Sequence, residues 1–389
     1  MSQLKPKPKY GQTEADRDES GEDPDAKLPE VEILNISSNN LTAKDIFSLE
    51  RFPNMVEFKA HSNNIRSVPA GIENFTKLQR LDLSNNNIAT LKGIEGLTTL
   101  IRLNCGKNRI ETLPDKLGNL QKLKYLRLGA NNLTKVKMIM NLSALLELDL
   151  NSNKLTKIPR SIGNLINLER LELNNNKLTA LPSEIGALTS LNYLNISNNQ
   201  LVKMPDEIGL LTNLQDLILK QNKLICLPDK FSAMKSLRRI FAEQNKITEL
   251  PISISEVESL TELDVSDNQL ANVDQKILDL FEKNLQSLNI SHNNITMLPQ
   301  VKDNHLTAVT KRRIRFQFHF NFFIDAPLPL HHMMFTESIP DKVLDHLFIS
   351  NALAASNQRA LKTLGITHVI CAAFEEDATK FPVSSHITI

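Results

Sequence analysis

The sequence predicts a solenoid, one short structural unit stacked on itself about twelve times. Three observations predict it. The frame L-x-x-L-x-L-x-x-N-x-L recurs, with its asparagine at Asn39, Asn63, Asn86, Asn108, Asn131, Asn153, Asn176, Asn199, Asn222, Asn245, Asn268 and Asn293. The gaps between successive asparagines are 24, 23, 22, 23, 22, 23, 23, 23, 23, 23 and 25 residues, a period too steady for composition to produce. Within each frame the last two leucines flank one polar or variable residue, the period of a strand.

Residues 168–190, LERLELNNNKLTALPSEIGALTS, show how one unit works. Leu168, Leu171 and Leu173 point to one face and Glu172 between the last two points to the other. Asn176 follows at the bend, and Leu178 turns inward again. Leu181-Pro182 stops strand pairing, since proline has no N–H to donate. Ile185 and Leu188 supply the inward side of a loose return segment. A single unit has a leucine face with nothing to bury it against; stacking buries it at about 25 cal/mol per Å². The asparagine amide offers an acceptor and two donors, so it is expected to bridge the backbone of successive turns. That is a scaffold role, not a catalytic one.

Eight x-Pro steps recur in phase: Val68-Pro69, Leu113-Pro114, Ile158-Pro159, Leu181-Pro182, Met204-Pro205, Leu227-Pro228, Leu250-Pro251 and Leu298-Pro299. With these steps the frame resembles leucine-rich repeats of the 23-residue intracellular class, over roughly residues 30–300. Thr90–Ile94 and Val136–Ile139 lack the proline and lie in the two 22-residue gaps, resembling a shorter class of the same repeat. The resemblance implies an α/β horseshoe with a concave parallel sheet of about twelve strands, and leaves the partner open.

Composition narrows the function. The 45 basic and 44 acidic residues leave a net charge of +1, against a protein recruited by bulk charge to nucleic acid or a membrane surface. Three cysteines make no disulfide framework. Cys105 replaces a core leucine and is expected to act as a small buried hydrophobe. Residues 1–28 are polar, charged and proline-bearing, so a disordered tail is expected there. They hold no apolar secretory segment, and no window holds 18 apolar residues. A cytoplasmic monomer is the expectation, with KRRIR at residues 311–315 a weak nuclear match. No catalytic set, metal site or cofactor motif emerges; His331-His332 has no carboxylate or cysteine spacing beside it.

The repeat frame also predicts the exposed strand positions. One column runs from Asn35 and Lys59 through Arg127 and Glu172 to Ile218 and Phe241; the other from Ile33 and Glu57 through Tyr125, Arg170 and Tyr193 to Asp216 and Arg239. Adjacent strands about 4.8 Å apart would lay these out as an arc of roughly 50 Å. Most entries are charged or polar, as a solvated face requires. Tyr193, Ile218, Arg239 and Phe241 depart from that, reading as an exposed Ile beside an exposed Phe with Tyr and Arg around them, the makeup of a protein-binding hot spot. The alternative is that Phe241 packs locally against the smaller Ala242. Asp216 and Arg170 complete this candidate site, and Tyr125 with Arg80, Arg102 and Arg127 forms a second, suited to an acidic partner.

After residue 300 the period stops. Phe316, Phe318, Phe320 and Phe322 alternate strictly behind KRRIR. That pattern reads as a strand or hairpin covering the open end of the solenoid, a basic-aromatic membrane contact, or an aggregation-prone linker. Residues 301–337 are read as cap or linker. From residue 338 a strand at 347–350, a helix at 357–364 and a strand at 366–370 with Gly365-Ile366-Thr367-His368-Val369 resemble the opening of dual-specificity protein phosphatases. That family's chemistry needs H-C-x-x-G-x-x-R. Here Cys371 follows Ile370 and Asp377 stands in the arginine's place, so no dephosphorylation is expected from residues 338–389. The expected function is a non-enzymatic scaffold in intracellular signalling, binding a protein partner on the concave face, with no nucleic acid and no membrane. The alternative is a fragment of a repeat-containing phosphatase whose catalytic half lies elsewhere.

Overall fold

Each repeat places its leucine pair on a three-residue strand whose middle residue is buried and whose flanking residues face out. The computed structural model describes residues 27–46, 51–296 and, for the backbone alone, 315–317. The chain divides into two compact units, Met1–Ile240 and Phe241–Ile389. The expectations for residues 1–26 and 338–389, the phosphatase resemblance among them, lie outside the described residues.

In the first unit the strands are β1 (Ile33–Asn35), β2 (Glu57–Lys59), β3 (Arg80–Asp82), β4 (Arg102–Asn104), β5 (Tyr125–Arg127), β6 (Glu147–Asp149), β7 (Arg170–Glu172), β8 (Tyr193–Asn195) and β9 (Asp216–Ile218). Each pairs parallel with the next in sequence, β1 through β9. The register stacks Leu81, Leu103, Leu126, Leu148, Leu171, Leu194 and Leu217 in one line, all buried. Strand β10 (Arg239–Phe241) runs across the division between the units.

The second unit holds β11 (Glu262–Asp264), β12 (Ser287–Asn289) and β13 (Arg315–Gln317), paired parallel in that order. Strand β13 corrects the expectation that the period ends after residue 300, because Phe316 falls in register with Leu288. In the sequence, Phe316 and Phe318 precede Asn321 by five and three residues, as Leu288 and Ile290 precede Asn293. The frame therefore recurs with phenylalanine in leucine's place, after a longer gap of 28 residues between the asparagines.

The return segments are more regular than the sequence suggested. Most coils return through a 3-10 helix, five residues long in Asp115–Asn119, Arg160–Asn164, Ser183–Ala187, Asp206–Leu210 and Ile252–Glu256. All five follow directly on a proline with φ between −65° and −73°. The reason is spacing: Ile185 and Leu188 lie three residues apart, and a helix of three residues per turn puts both on one side. Both are fully buried. Of the two 22-residue coils without proline, one opens a three-residue turn, Ile94–Gly96, at Gly93 with φ 102°, and the other returns through a five-residue 3-10 helix, Lys137–Asn141, that starts after Val136. The 25-residue gap holds the one α-helical turn among the described residues, Gln275–Leu278, with Asp274 accepting from the Lys276 amide at 2.8 Å.

The asparagines form the predicted ladder, with one repeated bonding scheme. Asn199 Oδ1 accepts from the Leu178 amide of the preceding coil at 2.9 Å, and its Nδ2 donates to Leu173 O of that coil at 3.0 Å and to Ile196 O of its own at 3.0 Å. Asn176 and Asn222 repeat the scheme one coil either side. In the second unit Asn268 and Asn293 do the same. The residue before each asparagine takes a left-handed φ near +55° although none of these residues is glycine, as at Ala130, Asn175 and Gln221.

Candidate functional site

The outward faces of β2 to β9 carry pairs of side chains one repeat apart. In a parallel ladder with a period near 23, residue i meets residue i+23, so spacing in the sequence becomes contact in space. Arg170 and Tyr193 are register partners, and the Arg170 guanidinium lies over the Tyr193 ring at 3.5 Å from its centroid. Arg102 and Tyr125 repeat the arrangement at 3.8 Å. Cation–ring stacks of this kind hold both side chains in place. Arg239 Nε and Nη2 donate to Asp216 Oδ1 and Oδ2 at 2.5 and 2.7 Å, a bidentate pair.

Around Tyr193 the electrostatics are tight. Glu172 accepts a hydrogen bond from Arg170, and Asp149 is its register partner on β6. Burial pushes the Glu172 carboxyl up against the opposing effect of Arg170, and burial followed by Glu172's charge pushes the Tyr193 phenol up. Farther along, Glu57 accepts from Arg80 Nε at 3.0 Å and lies 2.9 Å from Lys59 Nζ. Its hydrogen bond to Lys59, then Arg80, holds its carboxyl below the usual range against the effect of burial.

The structure thus joins Tyr193 to Arg170 and Asp216 to Arg239, all in the first unit. Ile218 lies on β9 of the first unit, whereas Phe241 opens the second. Both are half-buried, which corrects the reading of an exposed Ile beside an exposed Phe. Tyr125 belongs to the separate Arg102 stack. Sequence reasoning missed the role of Glu172, although its position one repeat from Asp149 and two residues from Arg170 was visible. Cys105 is fully buried, and its thiol is pushed up by burial and by Asp82. Cys105 and Cys226 form no disulfide. Among the described residues no helix is long and apolar enough to cross a membrane, and no three His, Cys, Asp or Glu side chains gather to hold a metal ion.

Comparison with known proteins agrees with this architecture. The family model described as "Leucine-rich repeat region" matches residues 183–295, and that described as "Leucine Rich Repeat" matches 77–100, 144–165 and 167–188. A leucine-rich repeat protein of Leptospira interrogans is 27% identical, with a TM-score of 0.59 over 79% of this chain and 88% of that one. The plant peptide hormone receptor RGFR1, solved in complex with RGF2, is 26% identical, with a TM-score of 0.57 over 77% of this chain and 56% of its own. A TDR receptor shares the fold at 22% identity and TM-score 0.65; this chain covers 61% of its length. The matches and the asparagine ladder together identify the described residues as a solenoid of leucine-rich repeats.

Proposed function

We propose that this protein is a binding scaffold, without catalytic activity of its own, whose outward strand face docks a protein partner in intracellular signalling. The single observation that carries the reading is the pre-ordering of large side chains on β7 to β10. Arg170 is stacked on Tyr193 of the neighbouring strand β8, and Asp216, on the same strand as Ile218, is clamped by Arg239. Aromatic and arginine side chains dominate interface energetics, and side chains already held in place lose little entropy on binding. The peptide-bound state of the plant receptor lends support, since that solenoid receives a peptide. On the same reading the protein works in the cytoplasm as a monomer.

Capture from cell extract tests this. The full chain carrying Tyr193→Ala with Ile218→Ser is expected to keep its thermal midpoint within a few degrees and to lose the partner that the unmodified chain retains. Equal capture by both proteins would remove the proposal. Phe241→Ala, examined alone, reports whether the first residue of the second unit takes part.

A further inference from the structure

The other stack lies in a different setting. A depression on β2 to β5 is lined by Glu57, Lys59, Arg80, Asp82, Arg102 and Arg127, with Asn104 and Tyr125 between them. Most of these charges are already engaged. Lys59 and Arg80 share Glu57. Arg127 pairs with Glu147 at 2.9 Å. Asp82 accepts from the Ser84 amide and hydroxyl at 2.9 and 2.6 Å and from Asn104 Nδ2 at 3.2 Å. Three of the four cations, Lys59, Arg80 and Arg127, therefore already have a carboxylate partner.

Arg102 is the cation left over. Among the described residues it has no carboxylate within ion-pair distance, and its one contact of note is the Tyr125 ring beneath it. Stacking covers the face of a guanidinium and leaves its edge, where the N–H donors lie, turned to solvent. Arg102 is exposed, while Tyr125 is half-buried beneath it. A planar fork of donors held flat on a ring is shaped for a carboxylate, which can accept two of them side by side.

We propose that this depression receives an acidic segment of a protein partner, with one of its carboxylates taken by the Arg102 edge. The proposal rests on the reading of the strand face as a docking surface and names the chemistry of one end of it. The engaged acids favour this occupant: Asp82 and Glu57 each have donors of their own, so an incoming carboxylate meets the unpaired Arg102 edge and not bare anions. The pairs flanking Arg102 offer further contacts on either side, since a second carboxylate would meet Arg80 on β3 or Arg127 on β5 by exchanging with Glu57 or Glu147.

The probe is a fluorescein-labelled peptide of six glutamates spaced by glycines, followed by fluorescence anisotropy with the full chain at low and at physiological salt. The unmodified chain is expected to bind at low salt and to weaken as salt rises. Arg102→Gln is expected to lose about tenfold in affinity, the loss of one charge-assisted pair. Tyr125→Ala, which frees the guanidinium, is expected to lose severalfold, and Tyr125→Phe, which keeps the ring, to bind as the unmodified chain does. Arg160→Gln, an exposed arginine on a return helix, serves as the control for bulk charge and is expected to change binding less than twofold. Equal losses from Arg102→Gln and Arg160→Gln overturn the proposal. So does equal binding of a lysine–glycine peptide, or tighter Arg102-dependent binding of a single-stranded oligonucleotide of matched charge. Partner capture through Tyr193 and Ile218 uses neither Arg102 nor Tyr125, so failure here with loss of capture there would remove this inference alone.

Discussion

The strand side and the return side of the same coils are built to different tolerances. From β1 to β9 every strand is three residues long and parallel to its neighbour, with its middle residue in register and buried. Opposite them, returns run through five-residue 3-10 helices, after a proline or after Val136, and through three-residue turns after a left-handed glycine or after Lys230; in the second unit the 25-residue gap returns through an α-helical turn. The difference teaches where the repeat is fixed. Hydrogen bonds between neighbouring strands and the asparagine amide tolerate no change of length, because a one-residue slip would turn the leucines outward. The return side is held by apolar contact, which accepts several backbone routes provided that an apolar side chain ends up inside, Ile185 in one coil and Phe231 in another.

Breaking the asparagine bridge should have the largest effect. In Asn199→Ala the Leu178 amide loses its acceptor, whereas the carbonyls of Leu173 and Ile196 keep Asn176 and Asn222 as donors. The orphaned donor costs about 1–3 kcal/mol and the void adds to it, so a loss of about 3 kcal/mol is expected in denaturant unfolding. A loss below about 1 kcal/mol would mean that the strand side is no more fixed than the returns.

The returns have their own tight points, next in size. A Cβ on Gly209 would lie 2.4 Å from Lys230 O, and one on Gly163 would lie 3.2 Å from Glu184 O. Gly209→Ala should therefore cost about 1–3 kcal/mol by forcing two coils apart. Gly163→Ala should cost less, which thermal melts of the two variants side by side would show. Equal melting temperatures would contradict the contact.

The smallest expected effect concerns two carboxylates on the strand face, with opposite signs. The Glu57 carboxyl is held low, so its ionised form stabilises the fold at neutral pH and that contribution is lost as pH falls through the carboxylate range. The Glu172 carboxyl is pushed up, so its ionised form opposes folding at neutral pH and the opposition is relieved on acidification. Glu57→Gln should lower the melting temperature at pH 7 and Glu172→Gln should raise it. Each change should amount to at most about 1 kcal/mol and fade toward pH 3. Shifts of the same sign would refute the assignment.

Much of this was legible in the sequence because the period is itself a distance. The strand positions, the buried leucines and the bridging role of Asn176 all follow from counting in steps of 23. The register pairing of Arg102 with Tyr125 and of Arg170 with Tyr193 follows too, since each pair is one period apart, but the stacking of guanidinium on ring does not. What escaped was set by quantities that spacing does not carry. The 3-10 form of the returns depends on backbone pitch. The half-burial of Ile218 depends on how its neighbours lie, and the state of Glu172 depends on desolvation. Strand β13 was legible as a strand at the end of the solenoid, but not as a further repeat, because its frame is written in phenylalanine and its gap is longer.

The asparagine bridge also has an orientation. Where an amide bonds between coils it reaches toward the N-terminal neighbour: Asn63 grips the coil of Asn39, and Asn222 that of Asn199. During synthesis, then, a turn of chain is clasped only when the following turn has been made, and the clasp always arrives from the ribosome side. The nascent protein can lock itself shut one turn behind its growing end, and it never has to wait for a distant segment to finish what it has begun.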